Sequence, residues 1–531
     1  MNVASLPRKP ESSLAGISLA TVAAFAATGL LIYLAAEASV KVLAAVLSGA
    51  ICLIGAYFTG NPRLYWLWCL MLTIPLDLSK RFGTVFLKMG GESSYRIEIS
   101  DVFLLALAVY LARDIWTDRI PGLHIPKVTF VWILIMLLGC CWAAFGTWRL
   151  TAAQEVVRMF KLMILFLVIT NELRSPRRVL HCAAGLSLGL VAEAIVGLIQ
   201  YFNRAHLGLD LLGETLKTQT AILAASSVEG EHVFRASAFL SHPNLFGIFL
   251  AVLLPVVIGA FLLRLGKGYK LFFLCSAVLG MAALIVTLSR SGWMSFAAAF
   301  ALLMLLMILH PGLRRRSLLA AALATLALVT ISGFFAEQIL QRIFSSRDAA
   351  MLGRAEYIRD AWGMIEVKPV LGWGLNSYVF AVPPFTQYGA KGAAKHYRNW
   401  IPPVHNIYLL WWAETGVIGL ALHLAFFASI VWTGIGNLRV KDEVLFTVNA
   451  ACLSGMLAFF VDGFFSFSLR FNSLLRVYWV LAGIMLAVHY WRLRQHVSAP
   501  ALNPAGQLLS VSERGQDRLG IFPMHPHPGR P

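Results

Sequence analysis

The sequence predicts an all-α, polytopic transmembrane helix bundle of about 14 spans, and three observations carry that prediction. Of 531 residues, 59% are hydrophobic and only 13% charged, for a mean hydropathy of +0.73. A water-soluble domain has no interior large enough to hide so much apolar surface, whereas a membrane protein shows it to lipid. The apolar residues fall into runs of roughly 18 or more between charged or turn-rich breaks, the length a helix needs to cross a bilayer. The basic residues collect in every second break.

In order, the runs cover residues 14–36, 42–60, 64–78, 102–116, 128–146, 152–170, 180–202, 239–263, 271–288, 293–309, 318–335, 407–432, 445–465 and 474–490. The third and fourth fall short of a usual crossing; merging or losing a pair leaves about 12 spans and the same topology. The first run is long enough to span and more runs follow at once, so a retained helix is expected rather than a cleaved signal. All seven cysteines lie in apolar stretches, with no metal-type CxxC spacing and no disulfide framework. The segment 497–531 is rich in Pro, Gly, Ser and Arg and is expected to be a disordered tail, its His525 and His527 solvated rather than metal-binding.

One alternating set of breaks holds Arg8 and Lys9, Arg63, Arg113 to Lys127, Arg174 to Arg178, Arg264 to Lys270, Arg314 to Arg316, Arg439 with Lys441, and Arg492 with Arg494. The positive-inside rule makes this set cytoplasmic and puts both termini inside. The net charge of +18 is thus mostly topological. Nucleic-acid binding is not indicated, because the cations are spread over short loops rather than gathered on one basic domain.

The opposite, external side carries the two long loops, 203–238 and 336–404, and shorter turns at 79–100, 289–292 and 462–472. Four divisions follow: 1–235, 236–430 with the loop 336–404, 431–496, and the tail from 497. In the second long loop, Tyr357, Ile358, Ala361, Trp362 and Ile365 recur at helical spacing, which predicts a short amphipathic helix on the bilayer face. Gly372-Trp373-Gly374 reads as a flexible turn after it. The loop re-enters the bilayer through Pro402-Pro403-Val404-His405-Asn406. His405 is a proton-accepting side chain at a membrane surface, and Arg235, Arg290 and Arg354 face the same compartment on this topology. A base beside cations suits an anionic, lipid-borne substrate. Each residue also has a structural reading: His405 as a helix-start histidine bonded to its own turn, Arg290 as an interfacial hairpin cation, and Arg354 as a snorkelling side chain. His242 reads as a helix starter. Glu229, Glu231 and His232 could bind a divalent ion, but no Asp-x-Asp signature accompanies them.

Three ordered segments resemble the O-antigen ligase/polymerase family of bacterial surface-polysaccharide enzymes. They are Leu288-Ser289-Arg290-Ser291-Gly292-Trp293; Gly353-Arg354, Trp362 and Lys368-Pro369-Val370-Leu371-Gly372-Trp373-Gly374; and Val404-His405-Asn406-Ile407-Tyr408-Leu409 with Glu414-Thr415-Gly416-Val417-Ile418-Gly419. The resemblance covers about residues 236–427. It implies a GT-C-like membrane glycosyltransferase of the inner membrane, working at the periplasmic face on an undecaprenyl-diphosphate-linked glycan, with a second glycan or a lipid A core as acceptor and no cofactor. By resemblance His405 is the acceptor-activating base, Arg290 holds the diphosphate, Arg235 is a second such residue, and Arg354 and Arg470 complete the cationic set. The chemistry fits: neutral imidazole is a suitable base, and guanidinium groups give fixed bidentate recognition of phosphate. Two other classes stay open. A transporter or flippase would use charges deep in the spans, where Glu155, Arg158 and Lys161 share one helix face. A scaffold for polysaccharide assembly would not need His405.

Overall fold

The computed structural model describes residues 52, 54–76, 78–84, 91–209, 214, 226–228, 231–334, 347–386 and 403–498. The chain divides into two compact units, residues 1–66 and 67–531. The predicted runs 14–36 and most of 42–60 lie outside the described residues, as do the tail from 499 and Glu229. Every other predicted run is a helix. In chain order these are α1 (Pro62–Thr73), α2 (Ile99–Trp116), α3 (Val128–Phe145), α4 (Arg149–Glu172), α5 (Pro176–Asn203), α6 (Pro243–Leu262), α7 (Lys267–Val286), α8 (Arg290–Leu309), α9 (Arg314–Phe334), α10 (Arg347–Val367), α11 (Tyr378–Ala381), α12 (Ile407–Asn437), α13 (Glu443–Asp462) and α14 (Asn472–Ser498). Among the described residues, α3, α5, α6, α7, α8, α12, α13 and α14 are long and apolar enough to cross a membrane. The protein is a polytopic helical membrane protein.

The helix starts follow from local chemistry. Ser175 accepts a hydrogen bond from the Arg178 amide with Pro176 in the first turn, and Asp442 accepts from the Val444 and Leu445 amides. Each side chain satisfies backbone donors that a helix end otherwise leaves free. Two strand pairs are the exception to an all-helical reading: Ser79–Phe82 pairs antiparallel with Tyr95–Glu98, and Ser226–Val228 with Glu231–Val233. The first pair sits where only a turn is expected from sequence, at residues 79–100.

The core is built around α6, which is buried along almost its whole length and touches α5, α7, α8 and α13. A second set forms where α14 meets α4, α12 and α13. Glycine sets one approach that matters for the site. A Cβ at Gly292 would stand 3.0 Å from the Gly247 backbone, so α8 begins directly against α6.

Two expectations for the loop 336–404 are corrected. The amphipathic helix is not short: α10 runs for 21 residues, with Asp360, Ala361, Met364 and Ile365 buried on one side. Gly372-Trp373-Gly374 is not a free turn either. The Trp373 amide donates to the Ala413 carbonyl at 3.0 Å, the Gly374 amide to Glu414 at 2.8 Å, and the Val417 amide to Pro369 at 2.9 Å. These bonds satisfy backbone groups at a break inside α12, where Gly416 takes φ 65° and ψ −176°. Paired backbone fixes the segment where composition alone suggested freedom.

Candidate active site

Four stretches of chain converge at one end of the helices. The first is the hairpin from α7 to α8. Leu288 turns the chain with a φ of 50°, Ser289 caps α8 by accepting from the Gly292 amide at 3.2 Å, and Arg290 becomes the first residue of α8. Arg235 braces this hairpin. It is 4% exposed, and its guanidinium donates to the Thr287 carbonyl at 3.0 Å and to Asn244 Oδ1 at 2.7 Å.

His242 starts α6, its Nδ1 accepting from the Asn244 amide at 3.1 Å, so the helix-starter reading holds. For His405 the capping role belongs to its neighbour: Asn406 Oδ1 accepts from the Tyr408 and Leu409 amides, both at 3.0 Å. The imidazole stands just ahead of α12, stacked on Tyr357 of α10 at 5.6 Å and edge-on to Phe467 at 5.2 Å. Its Nδ1 is buried and takes no hydrogen bond from the described residues.

Arg354 comes from α10, one turn before Tyr357. Burial and the Arg290 charge push its pKa down, while Asp462 opposes them. The Arg290 guanidinium is therefore near enough to Arg354 to repel it, with Asp462 as the opposing charge on Arg354. Asp462 ends α13; its Oδ2 accepts from Ser468 Oγ at 2.6 Å, Ser291 also donates to it, and its buried Oδ1 has no described partner. Burial and then Arg354 hold the His405 pKa down at about 4, opposed by a hydrogen bond from the ring to the Pro403 backbone, so the imidazole is also bonded to its own turn. Burial, Arg235 and His405 hold that of His242 at about 3. Both imidazoles are neutral at physiological pH, because desolvation and nearby cations each disfavour the charged ring.

The structure thus gathers His405, Arg354, Arg290 and Arg235. Arg470 belongs to a neighbouring cluster. It lies in the 3-10 turn Ser468–Arg470, pairs with Glu414 at 2.9 Å and donates to Asn376 Oδ1 at 3.0 Å. Glu414 also accepts from the Asn376 and Tyr378 amides at 3.1 and 3.0 Å, which pins the segment after α10 to the break in α12. Glu155 and Arg158 pair with each other, Arg158 donates to the Arg470 carbonyl at 2.7 Å, and Lys161 pairs with Asp101 at 2.6 Å. Among the described residues no group of three or more His, Cys, Asp or Glu could hold a metal; of Glu231 and His232 only the backbone is described.

Sequence reasoning missed Asp462 and Tyr357. The signal for Asp462 was present, since a carboxylate inside an apolar run is a functional candidate by default. Tyr357 read only as one more apolar position of an amphipathic helix.

Fold and site together define a membrane protein that presents a neutral base and paired cations at the ends of its helices. Residues 275–424 match the model of the O-antigen ligase family, a stretch that contains Arg290, Arg354 and His405. That stretch, less than half of the chain, carries an O-antigen ligase domain, the domain of a family of polysaccharide biosynthesis. No curated protein matches it.

Proposed function

We propose that this protein is a glycosyltransferase that joins or polymerises undecaprenyl-diphosphate-linked oligosaccharide at the periplasmic face of the inner membrane. Its acceptor is a second lipid-linked glycan or a lipid A core. The topology has about 14 GT-C-like spans with both termini cytoplasmic. The observation that carries the reading is His405: a neutral imidazole beside Arg354, which in turn lies near Arg290, its Nδ1 without a hydrogen-bond partner among the described residues.

The acceptor hydroxyl gives its proton to His405 as its oxygen attacks the anomeric carbon. The bond from that carbon to the diphosphate breaks, and polyprenyl diphosphate leaves with the electron pair. Arg290 and Arg354 bind its oxygens, a fixed positive arrangement that needs no reorganisation as charge develops. Arg235 contributes by holding the hairpin that carries Arg290. The assignment of Arg470 to the diphosphate is weakened by its bond to Glu414; its role is to tie the 3-10 turn, and with it Ser468 and Asp462, to α12.

A transporter gains little from the charges of α4, because Glu155 pairs with Arg158, Arg158 also donates to the Arg470 carbonyl, and Lys161 pairs with Asp101. Protein reconstituted in liposomes with a polyprenyl-diphosphate oligosaccharide and candidate acceptors tests the reading. His405→Ala is expected to lower the transfer rate by about 10²- to 10⁴-fold. Wild-type transfer by that variant would remove the proposed base, and donor translocation without a new glycosidic bond would make the protein a transporter.

A further inference from the structure

Between α10 and the first half of α12 runs a seam that starts at His405 and Arg354 and continues past them as apolar surface. The two elements lie side by side in the same direction: Tyr357 meets His405 at one end, and Trp362 meets Trp412 further along, 5.4 Å apart and edge to face. On α10, residues 354, 358 and 362 are spaced by four, so they form one stripe that begins at a cation and continues as apolar surface. Ile358 is 40% and Trp362 42% exposed, although Asp360, Ala361, Met364 and Ile365 beside them are buried. On α12 the stripe continues past the half-buried Trp412 to Val417, 45% exposed, on a helix long and apolar enough to span.

We propose that this seam binds the isoprenoid chain of the lipid-linked donor. This rests on the transferase reading and adds where the lipid lies: diphosphate at Arg354 and Arg290, chain along Ile358, Trp362 and Trp412, then out to the bilayer at Val417. Charge complementarity argues for this occupant, because a chain laid on the stripe brings its anionic end to the arginines. Continuity with α12 argues for it as well, since the stripe leads to the exposed, apolar Val417 on a helix long and apolar enough to span. Aromatic faces suit a branched, unsaturated hydrocarbon, giving large contact area at little conformational cost.

The test compares two donors bearing the same sugar and diphosphate, one on a full-length polyprenyl chain and one on a chain of about two isoprene units. For the long donor, Trp362→Ala is expected to raise KM about tenfold with kcat unchanged, the effect of one lost aromatic contact. For the short donor KM should not move, and Trp362→Phe should restore the long-donor value. An unchanged KM for the long donor, or an equal rise for both donors, overturns the seam. Direct binding of radiolabelled, sugar-free polyprenyl diphosphate separates this claim from the function itself. Wild-type protein that binds it, with binding weakened by Trp362→Ala, but transfers no glycan keeps the seam and loses the transferase. Equal binding by Trp362→Ala removes the seam whatever the activity. Ile358→Asn, at the head of the stripe, repeats the test should Trp362→Ala fold poorly.

Discussion

At the scale of residues, the site turns on the protonation of one imidazole. Burial and the Arg354 cation both disfavour the charged form of His405, holding its pKa at about 4. Its base form is therefore present above that value and lost as the pH falls through it. The kcat/KM profile should keep its acid limb well below the ordinary histidine value of about 6.5. Arg354→Gln removes the repulsion and should move that limb upward, so the variant loses relatively more activity at pH 5 than at pH 7. Only the position of the limb is diagnostic, because the same substitution also weakens donor binding. Superimposable limbs in the two proteins would contradict the coupling. His405 and the arginines were legible in the sequence as charged exceptions in an apolar chain. Asp462 carried the same signal, a carboxylate at the end of an apolar run, but went unread; Tyr357 was not legible, since it falls among the ordinary hydrophobic positions of an amphipathic helix.

At the scale of elements, the broken helix α12 is the device that brings the motifs together. Its break leaves backbone groups without helical partners, and Pro369, Trp373 and Gly374 supply them. Gly416 adopts a conformation that is essentially closed to residues with a side chain. A Cβ there would also collide with the Val370 carbonyl. Gly416→Ala should therefore lose on the order of 2 kcal/mol or more, read as a fall in the thermal unfolding temperature of the detergent-solubilised protein. An unchanged unfolding temperature would mean that the docked segment is not what stabilises the break. The Gly-Trp-Gly run was visible from the sequence as punctuation. Its partner strand of backbone lies some forty residues away, which local reading does not reach.

At the scale of the whole molecule, the orientation of the bundle decides whether the site can meet its substrate. The alternating basic loops predict that α10 lies outside the cell membrane and that Arg439 lies inside. In a background without native cysteines, Glu366→Cys should react with a membrane-impermeant maleimide in intact spheroplasts, and Arg439→Cys only after permeabilisation. The reverse pattern would move the whole site to the cytoplasm. The grouping of α6 with α5, α7, α8 and α13 places the starts of α6 and α8 beside the end of α13, so loops far apart in sequence share one end of the bundle.

The sequence by itself determined the class of protein, the apolar helices, and the identity of His405, Arg290 and Arg354 as candidates. Those features are local: hydropathy over one crossing, and a charge that lipid cannot tolerate without a reason. Only the tertiary structure decided which charges meet. It set Arg354 against Arg290 and Asp462, gave Arg470 to Glu414, and turned a flexible-looking loop into the clasp of a broken helix. The reason is that a guanidinium pairs with whichever group packing brings within a few ångströms. In this chain those groups come from helices up to hundreds of residues apart.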